Sequence, residues 1–140
     1  MITEKFLNQF GKKIKELRRD AKSAAKVLGI SEIDFMDFPD NEMDLISNLQ
    51  LTKTIENEIM SYKPSIVYMP TKYDVNVDHQ AVYNATVTAT RPQKNMFVKD
   101  VISFEIPSST EWYFPAEFSP NIFVDITKEF TSKTNALKKY

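Results

Sequence analysis

Helix-like and strand-like patterns alternate along this chain, and this alternation restricts the fold more than any other feature of the sequence. The first predicted elements in chain order are a helix over 6–28 ended by Gly29, a strand over 33–38, and a helix over 45–62 with an irregular start. A strand over 65–69 follows, then a helix that begins after Asp78 and runs out near Arg91-Pro92. The last elements are strands over 100–106 and 122–126 and a helix over 130–140. Parallel strands need crossover connections, which the helices supply. The order therefore predicts an α/β fold with a Rossmann-like, mostly parallel sheet covered by helices, in one domain over residues 1–140.

The composition is that of a globular protein, with 42% hydrophobic and 26% charged residues. A formal net charge of −1 provides no electrostatic footprint for nucleic acid. No segment is apolar over the length that a membrane span requires, and the first residues lack the apolar core of a secretion signal, so the cytoplasm is the predicted location. The chain has no cysteine, which excludes disulfides and thiolate metal sites.

The segment from Asp74 to His79 is where the sequence predicts chemistry. His79 is the only histidine in the chain and directly follows the carboxylate of Asp78, at the point where a loop after a predicted strand turns into a helix. Asp78 is predicted as the N-cap of that helix. A lone histidine is more often an ordinary packed or surface residue than a ligand, so position alone does not assign it a role.

Polar residues follow three of the predicted strands. In open parallel sheets, ligands bind outside the carboxyl ends of the strands. We therefore expect Asp40, Asn76, His79 and the loop over 108–111 to lie at one sheet edge around a shared cleft. Ordinary solvated turns are the alternative interpretation of these loops.

The segment after the predicted strand over 100–106 carries two further signals. Glu111 follows the hydroxyl residue Ser108 by three positions, which is the spacing of a helix-capping pattern. Phe104 and Trp112 are predicted as core residues, and for Trp112 the alternative is stacking on a sugar ring. Tyr68, inside the apolar strand, is also predicted to pack.

The segment Asp74–Ala81, together with Asp40 and the run Glu105–Trp112, resembles the LmbE-like (PIG-L) family of zinc-dependent N-acetylglucosaminyl deacetylases. That family carries an Asp-x-(His/Asn)-x-Asp-His segment before a helix, and its last His binds the metal. Similar segments follow the same order elsewhere in the chain, at Asp20–Gly29, Phe38–Asp40, Thr90–Pro92 and Pro120–Ile126.

The resemblance implies hydrolysis of an N-acetyl group on a glucosamine-type sugar or glycoconjugate. It implies zinc as the cofactor, with His79 as a metal ligand, because bound zinc polarises an amide carbonyl and lowers the pKa of its water. Asn76 and Asp78 match the catalytic segment: Asn76 would donate a hydrogen bond to the oxyanion, and Asp78 would orient the segment. Asp40 would bind sugar hydroxyls.

The sequence departs from the family at one point, since it contains no His-Pro-Asp-Asp motif. That motif would supply two zinc ligands and the general base, and a catalytic zinc normally has three protein ligands. The chain is therefore interpreted as the central part of a deacetylase fold, inactive or incomplete by itself, and expected to self-associate or to pair with a partner chain. The alternative is a non-catalytic sugar- or protein-binding module that kept the fold.

Overall fold

The computed structural model describes residues 4–94 and 96–139, with side chains from residue 13 onward, so Phe6, Phe10 and Tyr140 of the predicted helices lie outside the described side chains. Its helices and strands are α1 (Glu4–Leu28), α2 (Asn48–Tyr62), β1 (Ile66–Pro70), α3 (Val77–Ala89), β2 (Asp100–Phe104) and α4 (Phe130–Leu137). Two short 3-10 helices lie at Met43–Leu45 and Thr110–Trp112. None of the helices in the described residues is long and apolar enough to cross a membrane.

The two strands form a parallel sheet, with Val67 opposite Val101 and Met69 opposite Ser103. Helix α3 lies in the connection between them, as a parallel pair requires. Beyond β1, the N–H of Thr71 donates to the carbonyl of Phe104 at 3.1 Å, so the carboxyl ends of both strands are tied together. The chain has the α/β, Rossmann-like fold that the alternating patterns predict.

Contacts group the chain into two units, one of residues up to Asp37 with those from Ile122, the other spanning Phe38–Asn121. The second unit contains the sheet and helices α2 and α3. Its buried apolar residues come from α2, β1 and α3: Leu51, Ile59, Met69, Ala85 and Ala89. Alanines on α3 allow its backbone to approach its neighbours closely. In the first unit, Ala24 and Ala25 of α1 and Ala136 of α4 are buried.

The C-terminal ends predicted for the first two helices, at Gly29 and before Lys63, are confirmed. Gly29 has φ +72°, and the N–H of Ile30 donates to the carbonyl of Ala25 at 3.0 Å, the bond expected when a left-handed residue ends a helix. Helix α2 begins after Ser47, whose side chain accepts from the N–H of Gln50 at 3.2 Å. It ends at Lys63, which precedes a proline and has φ +51°.

Two predicted strands are absent from the described residues. Residues 33–38 are irregular, and the Phe35 ring lies beneath the Arg18 guanidinium at 5.3 Å, while Asp37 pairs with Arg18. These contacts with the charged face of α1 replace strand pairing, and Pro39 then stops the segment. Residues 122–126 are also irregular, and each of them is exposed. An apolar run without a partner strand gains no ladder hydrogen bonds.

The prediction that Tyr68 packs in the interior is wrong, because its side chain is 63% exposed. Phe104, also predicted as core, is exposed as well. Both lie on the sheet face opposite Met69, since successive side chains of a strand point to opposite faces. Met69 is buried, whereas Ile66, Tyr68 and Phe104 are exposed, so in the described part of the chain the apolar Tyr68 face of the sheet is open.

Candidate functional site

Asp74 joins the loop after β1 to the loop after β2. Its side chain is completely buried. Oδ1 accepts a hydrogen bond from the backbone N–H of Asn76 at 2.8 Å and another from the hydroxyl of Ser109. Oδ2 accepts from the hydroxyl of Thr110 at 3.0 Å. One carboxylate thus fixes two strand-exit loops relative to each other.

The charge on Asp74 is stabilised despite its burial. Burial alone would raise the pKa of this carboxyl, but hydrogen bonds from Ser109, the Asn76 N–H and Thr110, together with the close contact of His79, outweigh that effect and lower the pKa below its ordinary value. Asp74 is therefore ionised at neutral pH. A buried carboxylate with this many donors is satisfied rather than reactive.

The imidazole of His79 lies against Asp74. Its Nδ1 is 3.1 Å from Oδ1 of Asp74, and the side chain is 26% exposed. Nδ1 is buried, and its contact with Asp74 does not have the geometry of a hydrogen bond. The contact therefore places Nδ1 beside an ionised oxygen, with no hydrogen-bonding partner for Nδ1 in the described residues. The other ring nitrogen, Nε2, has no hydrogen-bonding partner in the described residues and is not buried, so it remains accessible.

Asn76, and not Asp78, is the N-cap of α3, so the prediction of an Asp78 cap is wrong. The side-chain oxygen of Asn76 accepts from the N–H of Asp78 at 2.8 Å and from that of His79 at 3.4 Å. Asn and Asp are about equally favourable caps, so residue type alone does not distinguish them. The cap fixes the backbone of His79 at the start of the helix.

Asp78 instead holds a distant loop. Its Oδ2 accepts from the N–H of Asn41 at 2.7 Å, and its Oδ1 accepts from the N–H of Met43 at 2.9 Å. Nδ2 of Asn76 also donates to Oδ1 of Asn41, at 3.4 Å. Asn41 has φ +56°, which turns the chain so that these groups face α3. The loop that follows Asp40 is thereby held against the first turn of α3.

Asp40 itself is exposed and makes no hydrogen bond or ion pair in the described part of the chain. It follows an irregular segment, so it is not at a strand exit as predicted, and two of the three expected strand exits exist. Its neighbour Asn41 still reaches Asp78, which brings this loop to the same region as Asn76 and His79.

The loop over 108–111 has the capping contact that its spacing predicted. Oε1 of Glu111 accepts from the N–H of Ser108 at 2.7 Å, and Ser108 has φ +71°. The Thr110 hydroxyl also accepts from the N–H of Ile106 at 2.8 Å. Trp112 is 61% exposed, so its assignment to the core is wrong. Its position at the end of this short helix leaves the indole outside the packed interior.

The described residues do not form a zinc site by themselves. They contain no group of three or more His, Cys, Asp or Glu side chains that could hold a metal ion. Nε2 of His79 is a suitable donor, but the nearby carboxylates of Asp74 and Asp78 are occupied by hydrogen bonds from protein groups. A single accessible nitrogen falls short of the three protein ligands that catalytic zinc normally has.

Asp74 is the central residue of this arrangement, although the sequence pattern predicted no individual role for it. One local signal was present, since an Asp two residues before Asn76 is typical of a turn in which the carboxylate accepts from the backbone. The contacts with Ser109 and Thr110 cross 35 and 36 positions of sequence, and no local pattern reports them.

Comparison with known proteins gives the same fold. The chain is similar to the crystal structure of the conserved protein TT1542 from Thermus thermophilus, with a TM-score of 0.75 and 17% sequence identity. The match covers 90% of this chain and 57% of that one, so the chain spans little more than half the length of the solved structure, and at this identity the likeness concerns the fold alone. A search of curated proteins finds no match. A family model described as GlcNAc-PI de-N-acetylase matches residues 3–90, more than half of the sequence, and the chain therefore belongs to the PIG-L family.

Proposed function

We propose that this chain is part of a de-N-acetylase-type hydrolase whose substrate is an N-acetylated glucosamine-type sugar or glycoconjugate. The observation that carries the proposal is the family match over residues 3–90, which includes the whole segment from Asp74 to His79. In the same segment, Asp74, Asn76 and Asp78 use their side chains to fix the surroundings of His79. Such an arrangement supports a role in the reaction for the His79 imidazole, whose Nε2 is accessible.

His79 is the proposed reactive residue. Its backbone is fixed by the Asn76 cap and its ring lies against Asp74, while Nε2 is left accessible. A histidine held in this way supplies a base or a ligand at a defined position. Zinc is the cofactor that the family resemblance implies, but the described residues contain no group of three His, Cys, Asp or Glu side chains that could hold it. We therefore propose that further ligands come from outside the described site.

Asn76 and Asp78 have different proposed roles. The amide oxygen of Asn76 is used by the helix cap, whereas its nitrogen has one long contact, 3.4 Å, with Asn41. A second hydrogen of that amide is available for an oxyanion. Asp78 accepts two backbone N–H bonds, which suits a residue that orients the loop and does not suit a general base. The exposed Asp40 remains the proposed contact for sugar hydroxyls.

Zinc analysis and a deacetylation assay test this proposal. The purified chain should retain little zinc after dialysis, and its turnover of N-acetylglucosamine derivatives should be close to background. Adding candidate upstream segments or partner chains should restore turnover, and His79→Ala should abolish what is restored. Stoichiometric zinc together with turnover by the chain alone would contradict the incomplete site. Restored turnover that is unaffected by His79→Ala would contradict the role of His79.

The second candidate function is a sugar-binding module, and the exposed Trp112 favours it. Aromatic faces bind the apolar faces of sugars, and Trp112 follows directly on the loop that contacts Asp74. In this case Trp112→Ala should weaken the binding of N-acetylglucosamine oligomers, measured by NMR titration, in a chain that has no hydrolytic activity. Phe114→Ala, which removes a side chain of comparable exposure, is the matched control.

A further inference from the structure

We infer that Asp74 is a positioning residue that holds the neutral His79 ring in the form protonated at Nδ1, so that Nε2 carries the free lone pair. The inference rests on the proposed function in one respect, since it takes His79 as the reactive residue of the site. Neither the family match nor the sequence pattern specifies which ring nitrogen is bare.

The geometry at Nδ1 leaves one favourable protonation. An ionised carboxylate accepts hydrogen bonds and cannot donate them. With Oδ1 of Asp74 only 3.1 Å away, a bare Nδ1 would set its lone pair against a negatively charged oxygen, whereas an N–H at the same place is attracted. Because Nδ1 is buried, water cannot relieve the unfavourable arrangement.

The carboxylate is held in place from three directions. The Asn76 N–H and the Ser109 hydroxyl donate to Oδ1, and the Thr110 hydroxyl donates to Oδ2. Each oxygen of an ionised carboxylate offers about two acceptor sites, so an N–H at Nδ1 would be a third donor to Oδ1, attracted by its charge without a lone pair of its own. Asp74 therefore cannot turn away from the ring without losing bonds to both strand-exit loops.

The consequence concerns what the ring presents to a ligand. A neutral imidazole has one donor nitrogen and one acceptor nitrogen, and the partner of the first determines the identity of the second. With the proton on Nδ1, the accessible Nε2 can accept a proton or bind an electrophilic centre. In a neutral ring protonated at Nε2 instead, that nitrogen could neither accept a proton nor bind an electrophilic centre.

Nitrogen NMR of the metal-free chain tests this directly, because His79 is the only histidine and gives a single set of ring signals. Long-range proton–nitrogen spectra are recorded with a chelator present, as the pH is raised until the ring signals stop moving. We expect Nδ1 to show the shift of a protonated, pyrrole-type nitrogen and Nε2 that of a bare, pyridine-type nitrogen. Free imidazole side chains in water favour the reverse, and that pattern in the folded chain would overturn the inference.

Two matched substitutions separate Asp74 from its surroundings. Asp74→Asn removes the charge facing the ring and should increase the fraction protonated at Nε2. Asp78→Asn makes the same chemical change one residue from His79, at a carboxylate bound by Asn41 and Met43, and should leave the proton on Nδ1. Equal effects of both substitutions would overturn the inference. If Asp74→Asn does not fold, the wild-type spectrum alone decides.

The outcome is independent of the proposed function. A chain with the expected nitrogen signals but no deacetylation after any complementation keeps the positioning role and loses the hydrolase. A chain that regains deacetylation on complementation but carries the ring proton on Nε2 keeps the hydrolase proposal and overturns the positioning role of Asp74.

Discussion

The carboxylate of Asp78 accepts the backbone N–H of Asn41 at 2.7 Å, across 37 positions of sequence. The same carboxylate accepts the N–H of Met43 with its other oxygen, at 2.9 Å. The residue next to His79 thus holds the loop that begins at Asp40. An acidic side chain in the first turn of a helix also interacts favourably with the helix dipole.

We expect Asp78→Asn to lower the free energy of unfolding by about 1–2 kcal/mol, since an amide has one oxygen and leaves one backbone N–H facing an NH₂ group. Urea unfolding measures the change. Asp100→Asn is the matched control, because the exposed carboxylate of Asp100 accepts no hydrogen bond in the described residues. Equal losses from both substitutions would show that the contacts with Asn41 and Met43 contribute nothing specific.

Asn76→Ala should reduce stability by about 1 kcal/mol, because the start of α3 loses the oxygen that accepts from Asp78 and His79. Asn76→Asp keeps such an oxygen and should remain close to the wild type. Thermal unfolding followed by circular dichroism distinguishes the two variants. In a complemented enzyme, Asn76→Asp should nevertheless lose turnover, because aspartate has no N–H to donate. Full turnover in that variant would contradict the proposed donor role of Asn76.

The stability of the chain should fall at acidic pH in a way that depends on Asp74. Its pKa is lower in the folded chain, so the folded state binds fewer protons than the unfolded state. This contribution is complete above the unfolded aspartate value of about 3.9 and is lost as the pH falls through the lower folded value. Urea unfolding at several pH values, with a chelator present, should show the advantage of the wild type over Asp74→Asn shrinking in acid. A constant difference would contradict this assignment.

We expect the chain to self-associate through its sheet. The apolar face that includes Ile66, Tyr68 and Phe104 is exposed, and each strand has one edge with no strand beside it in the described residues. Unpaired edges and large apolar patches promote pairing with other chains. Light scattering at micromolar concentration should detect assemblies, and Tyr68→Lys should reduce them.

Leu49→Lys provides the control for this experiment, because Leu49 is similarly exposed on α2 and not on the sheet. An equal reduction by both lysine substitutions would point to general apolar exposure. A monodisperse wild-type monomer would contradict self-association altogether and favour the binding module.

The sequence predicted β1 and β2 because each is a short apolar run bounded by turn residues, and each finds a strand partner. Residues 33–38 have a similar composition but lie against α1, where Phe35 meets Arg18 and Lys22. A local apolar pattern predicts that a segment is extended, but a β-strand also needs a second strand with which to form hydrogen bonds. Whether such a partner lies beside the segment depends on the whole fold and cannot be predicted from the local pattern.

The position of the candidate site was predictable to the extent that it depends on strand ends. His79 and Asn76 were identified because they follow β1 and begin α3. The partners of the acidic residues were not predictable in the same way, since Asp74 and Asp78 accept hydrogen bonds from groups more than thirty positions away. The exposure of Trp112 was missed because a large aromatic residue is more often buried than not.

The parallel register of β1 and β2 makes the chain unequally tolerant of changes in length. Each residue of β1 has a fixed partner in β2, and the Thr71–Phe104 hydrogen bond continues that pairing to the loops. An insertion at Pro92, between α3 and β2, would lengthen a surface connection without moving either strand. One extra residue between Met69 and Asp74 would displace Asp74 from Ser109 and Thr110. Loop grafting and tag placement should therefore use the connection before β2 and leave the short segment after β1 intact.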